Sequence, residues 1–294
     1  MTTCKLEGMG YHAGELAVQR RAGVTGVPFG AETELPEVAR DFLEEQLWLV
    51  LGAEDAEGRV WASVLYGWPG FISSPEPHSL VIASEPLPGD PLTGALDGPV
   101  GGLAIEPSTR RRLRLNGRAT SADGEVTIAL EQVYGNCPKY ITARDVEAVV
   151  EATPAPPAAS GAIDARARQL LAAADTAFVA TRGPDGLDVS HRGGRPGFLQ
   201  VRDERTIVWP DYPGNRMFNT LGNLAADGRL GLTVVDPEDG TTLYVTGRAS
   251  ILWDEARAVE LRVDAVVRLD RAAPLRWRFE RAARNPPLET GQAA

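Results

Sequence analysis

Between Ser190 and Leu224 the sequence reads SHRGGRPGFLQVRDERTIVWPDYPGNRMFNTLGNL. Arginines, one histidine, glycine-led turns and the amides Asn215, Asn219 and Asn223 are gathered there, whereas the segments around it are largely aliphatic. Guanidinium forks and amides that converge on a chain reversal make the donor set a phosphate-bearing ligand requires. Pro213-Gly214 reverses the chain, and Asn215 and Arg216 follow where a helix is expected to begin. Its first N–H groups, the Arg216 fork and the amides of Asn215 and Asn219 suit a phosphate, and Asn223 lies four residues after Asn219 on the same face. Upstream, DVSHRGG alternates as a strand, with Ser190 and Arg192 on one face and His191 on the other. All three meet one ligand only if Gly193-Gly194 bulges that strand. His191 is the nearby side chain whose ordinary pKa suits acid–base work. Its other reading is a hydrogen-bonded structural histidine, and for Arg216 the other reading is a surface ion pair.

Such a site needs a scaffold of strands. IDARARQLLAAAD reads as an amphipathic helix, followed by the short strands TAFVATRG, LDVSHRGG, TIVWP, LGLTVVDP and TTLYVTGRASIL with turns between them. An earlier unit has the same make-up. PEVARDFLEEQ reads as a helix with Val38, Phe42 and Leu43 on one face, and strands with Gly/Pro turns run from there to Tyr134. Residues 1–34 form an arm containing the short helical pattern HAGELAVQRRAG.

Three motifs recur in the same order. Gly67-Trp-Pro-Gly-Phe71 answers Gly194-Arg-Pro-Gly-Phe198, and Leu103-Ala-Ile-Glu-Pro107 answers Leu232-Thr-Val-Val-Asp-Pro237. Leu113-Arg-Leu-Asn-Gly-Arg-Ala-Thr120 then answers Leu243-Tyr-Val-Thr-Gly-Arg-Ala-Ser250. An ordered series at nearly constant spacing indicates an internal repeat. We therefore expect a mainly β (α+β) chain with flanking helices: an arm and first barrel over 1–151, a Pro/Ala linker over 152–160, and a second barrel over 161–294. Each barrel would hold a helix and about six antiparallel strands.

The copies differ in charge. From Val60 to Thr109 there is no lysine or arginine, whereas the matching part of the second copy carries Arg192, Arg195, Arg202, Arg205, Arg216 and Arg229. A buried dianion needs paired cations, so one phosphate site per chain is expected, in the second barrel, with the first barrel as a wall.

Composition narrows the classes of function. Forty acidic against thirty basic residues give a formal charge of −10, which opposes nonspecific binding to nucleic acid or to an anionic membrane. No apolar run approaches the roughly 20 residues that span a bilayer, and the first residues lack a signal-peptide pattern, so a cytoplasmic location is expected. Cys4 and Cys137 stand far apart, and His12, His78 and His191 are scattered, so no metal site is expected. No GxGxxG follows a strand, which argues against a dinucleotide-binding Rossmann unit.

HRGGRPGF, WPDYPGNRMFNTLGNL and TGRAS together resemble the FMN-binding split-barrel superfamily, in particular its pyridoxamine 5′-phosphate oxidase-like proteins. The resemblance implies split β-barrels that bind FMN at the interface between two barrels. It implies that Asn215 and Arg216 hold the phosphate, and that Ser190, His191 and Arg192 line the ribityl chain and ring. Gly193, Asp211, Asn219 and Asn223 complete that implied cofactor set. The tail LRWRFERAARNPP is similar to the closing strand of such proteins and nominates Trp277 and Arg281. At the end of the first copy, Tyr134-Gly-Asn-Cys-Pro-Lys-Tyr140 has two readings. Asn136, Cys137 and Lys139 reach the flavin edge, or Pro138 opens a helix running to Val150.

The implied activity is an FMN-dependent oxidoreductase in which His191 is the catalytic candidate, with a small-molecule substrate and an electron acceptor as partners. The alternatives are a non-catalytic flavin carrier and a deazaflavin-dependent enzyme. The phosphate motif departs from the Ser-Arg-Lys signature of the oxidase proper, so vitamin B6 oxidation is not supported. A homodimer is the default expectation for a soluble protein, although two barrels in one chain meet the pairing requirement without a second subunit.

Overall fold

The computed structural model describes residues 10–287, apart from 25, 29, 136, 153–154 and 255. The arm carries α1 (Ala13–Arg21), and α2 (Glu37–Glu44) leads into the first half. That half contains β1 (Trp48–Glu54), β2 (Val60–Tyr66), β3 (Ile72–Ser73), β4 (Ser79–Ile82), β5 (Gly98–Glu106), β6 (Arg111–Ala122) and β7 (Glu125–Gly135). After β8 (Ala143–Val149), β9 (Ala158–Ser160) and α3 (Ala165–Ala173) come β10 (Thr176–Gly183), β11 (Gly186–Gly193), β12 (Gln200–Asp203) and β13 (Thr206–Pro210). The chain continues through α4 (Asn219–Ala226), β14 (Arg229–Val235), β15 (Thr242–Leu252), β16 (Ala258–Leu269) and β17 (Leu275–Arg281).

The first sheet has the order β2-β1-β5-β6-β7-β4-β3, and the second has β11-β10-β14-β15-β16-β13-β12. Position for position these orders coincide, and every pairing is antiparallel. The fold is a split β-barrel architecture with flanking helices. Even the irregularities repeat, since the register slips between Asn116 and Gly117 in β6 and between Thr246 and Gly247 in β15. A Cβ at either glycine would stand 2.0 Å from a carbonyl oxygen of the neighbouring strand, so each bulge depends on glycine.

The barrels pack face to face. Trp48, Val50, Val60, Ala62, Val64, Leu103 and Ile105 of the first meet Phe178, Ala180, Leu187 and Val189 of the second in one buried cluster. Each large aliphatic or phenyl side chain there contributes about 1.5–3 kcal/mol by leaving water. Two threonine hydroxyls of the second barrel donate to backbone carbonyls of the first, Thr233 to Ala62 at 2.5 Å and Thr246 to Val60 at 2.6 Å. A ribbon of β8 and β17 ties the two halves together outside the barrels.

Local chemistry shapes the helices. His12 caps α1 by accepting from Gly14 N–H, while the Glu15 carboxylate accepts from His12 N–H at 2.9 Å. Asp164 caps α3 by accepting from Ala167 N–H at 2.7 Å.

Several expectations are corrected. Val38 is 73% exposed, because the buried stripe of α2 is Ala39, Phe42 and Leu43, one step around the helix. No helix runs from Pro138 to Val150. Tyr140 turns the chain at φ 66°, and the residues beyond it form β8 against β17. The final residues of the expected linker, Ala158–Ser160, are a strand paired with β16. Each sheet holds seven strands in its main path, one more than expected, because β3 and β12 are too short to show a sequence period. Among the described residues no helix is long and apolar enough to cross a membrane.

Candidate functional site

At the joint between the barrels, β11 of the second crosses β6 of the first. Arg114 lies buried there, its Nη1 2.9 Å from both Asp188 carboxylate oxygens and its Nη2 donating to Ser190 Oγ at 2.5 Å. The Tyr134 hydroxyl and the Asn116 amide donate to Asp188 Oδ1 at 3.0 and 3.2 Å, and Ser190 Oγ lies 2.9 Å from Thr220 Oγ1. Burial works against the Arg114 charge, but Asp188 and Tyr134 outweigh it and raise its pKa. The network is therefore a neutralised ion pair held in place by hydroxyls.

A cleft opens beside this network. Arg112, Cys137, Lys139 and Tyr140 line it from the first half, and Ser190–Gly193 and the segment around Pro210–Leu221 line it from the second. Arg112 donates to the Cys137 carbonyl and Arg192 to the His191 carbonyl. Two buried nitrogens of residues lining this cleft, Arg112 Nε and Arg192 Nε, have no hydrogen-bond partner, and neither has His191 Nε2, whose residue also borders a second cavity. Burial and the nearby Arg114 and Arg192 push the Arg112 pKa down to about 9. Burial likewise lowers that of Arg192, with Asp211 opposing.

His191 is 5% exposed. Burial, then Arg112, Arg192 and Arg144, hold its pKa well below the usual 6.5. At neutral pH it is an uncharged imidazole among cations, so its ordinary pKa does not describe it. The site offers positive charge and unspent donors, the features that desolvate an anion at least cost.

The segment after β13 is strained into shape. Arg216 and Phe218 adopt φ 65° and 62°, and both Asn215 and Arg216 are exposed at the cleft mouth. Asn215 Oδ1 accepts from Met217 N–H at 3.1 Å, fixing the turn. The helix starts at Asn219, three residues after Arg216, because the left-handed Phe218 is its N-cap. Its opening residues Asn219, Thr220 and Leu221 line the cleft. Across the mouth, Tyr140 donates its hydroxyl to the Pro213 carbonyl at 2.7 Å, and its ring stands 5.4 Å from that of Tyr212.

The other sequence candidates are placed as follows. Gly193 is where the Tyr140 backbone comes closest, since a Cβ there would lie 1.9 Å from Tyr140 O. Asp211 lines the cleft but is ion-paired with Arg257 at 2.6 Å. The Asn219 amide donates to Glu15 at 2.6 Å. Asn223 Oδ1 lies 2.9 Å from His12 Nε2, and its amide donates to Thr181 at 3.0 Å. These two asparagines thus anchor α4 to the arm, and Asn223 does not line the cleft. Lys139 is exposed at the cleft, and Asn136 lies outside the described residues. Ser190, His191 and Arg192 all border the cleft although β10–β11 pairing is regular.

A second cavity lies on the far side of His191. Trp277 belongs to it, its ring centroid 5.0 Å from that of Trp48. Arg281 is exposed at the end of β17 and borders neither space. Among the described residues no group of three or more His, Cys, Asp or Glu could hold a metal ion.

Sequence reasoning missed Arg112, Arg114, Asp188, Thr220 and Tyr140. The signal for the first two was present in the run Arg110-Arg-Arg-Leu-Arg114, where strand alternation puts Arg112 and Arg114 on one face. The cation-free window of the first copy stops one residue before that run.

Fold and site together define a class: paired antiparallel barrels with a cationic cleft at their joint. Residues 163–287 match the family model described as Pyridoxamine 5′-phosphate oxidase, and the resemblance carried by HRGGRPGF and DYPGNRMFNTLGNL is borne out over that part of the chain. Solved structures similar to this chain include HupZ of Group A Streptococcus, at 18% identity over 38% of this chain and 98% of that one, with a TM-score of 0.32. A protein related to general stress protein 26, of the pyridoxinephosphate oxidase family, from Clostridium acetobutylicum is 13% identical over 39% and 92%, TM-score 0.29. An FMN-binding protein from Syntrophomonas wolfei is 12% identical over 34% and 82%, TM-score 0.29. Likeness of that degree carries no argument about activity. A search of curated protein sequences gives no match.

Proposed function

We propose that the chain binds FMN at the cleft between its barrels and acts as an FMN-dependent oxidoreductase on a small organic molecule, with a separate electron acceptor. One observation carries the reading: Arg112 Nε and Arg192 Nε are buried and without partners around one cleft. In a chain of net charge −10, such unspent donors call for an anionic ligand. The donor set fits the phosphate end of FMN. Arg112, Arg192, Arg216 and Lys139 would supply charge, and Thr220 and the first N–H groups of α4 would supply hydrogen bonds. The cleft measures about 110 Å³, below the roughly 300–1,000 Å³ usual for whole ligands, so it suits the phosphate end alone.

FMN, when bound, supplies the hydride and electron transfer, and the protein supplies orientation and electrostatics. In this reading the Arg114–Asp188 pair fixes Ser190, Tyr140 closes the mouth against Pro213, and neutral His191 offers a hydrogen bond instead of a proton. A bound dianion would offset the field of Arg112 and Arg192 and raise the His191 pKa, coupling ligand binding to proton uptake.

That electrostatic state of His191 also favours a second reading, a flavin-binding protein without turnover, because the cleft's acid–base candidate is held neutral by its surroundings. A deazaflavin would satisfy the same phosphate donors. The proposal takes the protein as cytoplasmic, with no nucleic-acid or membrane partner, and leaves homodimerisation to sedimentation analysis. Denaturing the purified protein and identifying any released flavin tests the cofactor, and a protein that neither carries nor takes up flavin contradicts the reading. Anaerobic photoreduction followed by mixing with oxygen or a nicotinamide separates the two roles. Reoxidation faster than free flavin supports the enzyme, and a rate no faster supports the carrier.

A further inference from the structure

The cavity beyond His191 has a different character from the cationic cleft. It measures about 790 Å³, within the range of small-molecule sites. Its inner wall is a run of rings. Trp277 stands against Trp48 at 5.0 Å, Trp48 against Phe178 at 5.4 Å, and Phe178 against His191 at 6.1 Å. Trp48 is pinned by donating its indole N–H to the Ile105 carbonyl at 2.8 Å. Ile105, Ile141 and Val234 add aliphatic wall, and Phe279 stands at the mouth 58% exposed.

Two arginines and three carboxylates line this cavity, and Asp236 is engaged locally by accepting from the Glu238 and Asp239 N–H groups. Arg144 and Asp175 neutralise each other at 2.7 Å, and Arg195 and Glu238, of opposite charge, are both exposed to solvent. Two buried polar atoms of the lining are left over, His191 Nε2 and Asn285 Oδ1. His191 borders both spaces and is held neutral. A ligand suited to this lining is flat and uncharged, stacks on indoles, and carries few hydrogen-bonding groups, matched to the His191 nitrogen and the Asn285 side-chain carbonyl.

We infer that this cavity is a binding site for a neutral, flat aromatic molecule, separate from the anion cleft and meeting it at His191. The two spaces take chemically opposite ligands, and one imidazole forms the partition.

The test is titration of the purified full chain with N-phenyl-1-naphthylamine, an uncharged aromatic whose fluorescence rises in apolar surroundings. Saturable binding near one per chain is expected. Trp277→Ala should weaken it tenfold or more, and Ala173→Trp, a change at an exposed helix position lining the mouth, should abolish it. Arg216→Ala should leave it unchanged while lowering flavin affinity. Absence of saturable binding, or a dissociation constant unmoved by Ala173→Trp, overturns the inference even if Trp277→Ala does not fold. Competitive displacement of the probe by added FMN also overturns it, since the flavin ring would then be the cavity's occupant. Probe binding in a protein that holds no flavin supports the cavity and counts only against the flavin proposal.

Discussion

The repeated topology gives the molecule two corresponding positions at its joint, and they have opposite contents. Strand pairing sets Ser63 on β2 where Ser190 stands on β11, and Tyr244 on β15 where Arg114 stands on β6. At the open position Ser190 meets an arginine from the opposite barrel and the Thr220 hydroxyl of α4. At the closed one, Ser63 donates to Asp90 at 2.6 Å, Leu92 N–H donates to the same carboxylate at 2.8 Å, and the fully buried Tyr244 packs alongside.

The segment between β4 and β5, which holds Asp90, contains Pro86, Pro88 and Pro91 and forms turns where the second half has α4. Proline cannot donate within a helix. Without that helix start and without the arginine, the first-half position commits its Ser63 hydroxyl and Leu92 N–H donors to Asp90, whose pKa burial raises. The same backbone thus yields a cationic cleft on one side and a packed polar core on the other.

The sharpest way to break the comparison is Arg114→Leu. It leaves Asp188 buried without its cation, and removing one partner of a buried pair costs about 3–5 kcal/mol. Urea denaturation should show that loss, while Tyr244→Phe at the corresponding position should leave stability almost unchanged, because the Tyr244 hydroxyl has no hydrogen-bond partner to lose. Next in size, Arg192→Ala should lower flavin affinity by about 1.5–3 kcal/mol, the usual range for a charged hydrogen bond. Ser63→Ala should leave that affinity unchanged, and flavin fluorescence titration of both variants checks this.

A pH effect follows. The unfolded chain protonates His191 below about 6.5, whereas the folded protein resists doing so. The folded state therefore binds fewer protons in that range, and stability falls as pH drops from about 6.5 toward the depressed value, by up to about 1.4 kcal/mol per pH unit. In His191→Gln, thermal unfolding between pH 7 and 5 should lose this component. The smallest effect is expected from Arg216→Ala. Its guanidinium is exposed and screened, so a several-fold loss of flavin affinity that shrinks further in high salt is predicted.

The repeat was legible because it rests on local chemistry: GWPGF and GRPGF mark the same turn, and NGRA and TGRA mark the same glycine bulge. The cleft was legible on its second-barrel side, where Ser190, Arg192 and Arg216 are close in sequence. Its other half was not, because Arg112 and Arg114 reach it only through the packing of one barrel on the other. Asn219 and Asn223 illustrate the converse. Their spacing puts them on one helix face, but the arm covers that face through Glu15 and His12. Tertiary contacts decided both outcomes, across 76 residues from Arg114 to Ser190 and across 204 and 211 residues from the arm to α4.

The central claim is one anion site per chain, built by both barrels at the open position alone. Flavin stoichiometry tests it most directly, by equilibrium titration of FMN into the flavin-free chain and into Arg112→Ala/Arg192→Ala. One FMN per wild-type chain and loss of that binding in the double variant are expected. Two FMN per chain, or one retained after both arginines are removed, would contradict the claim.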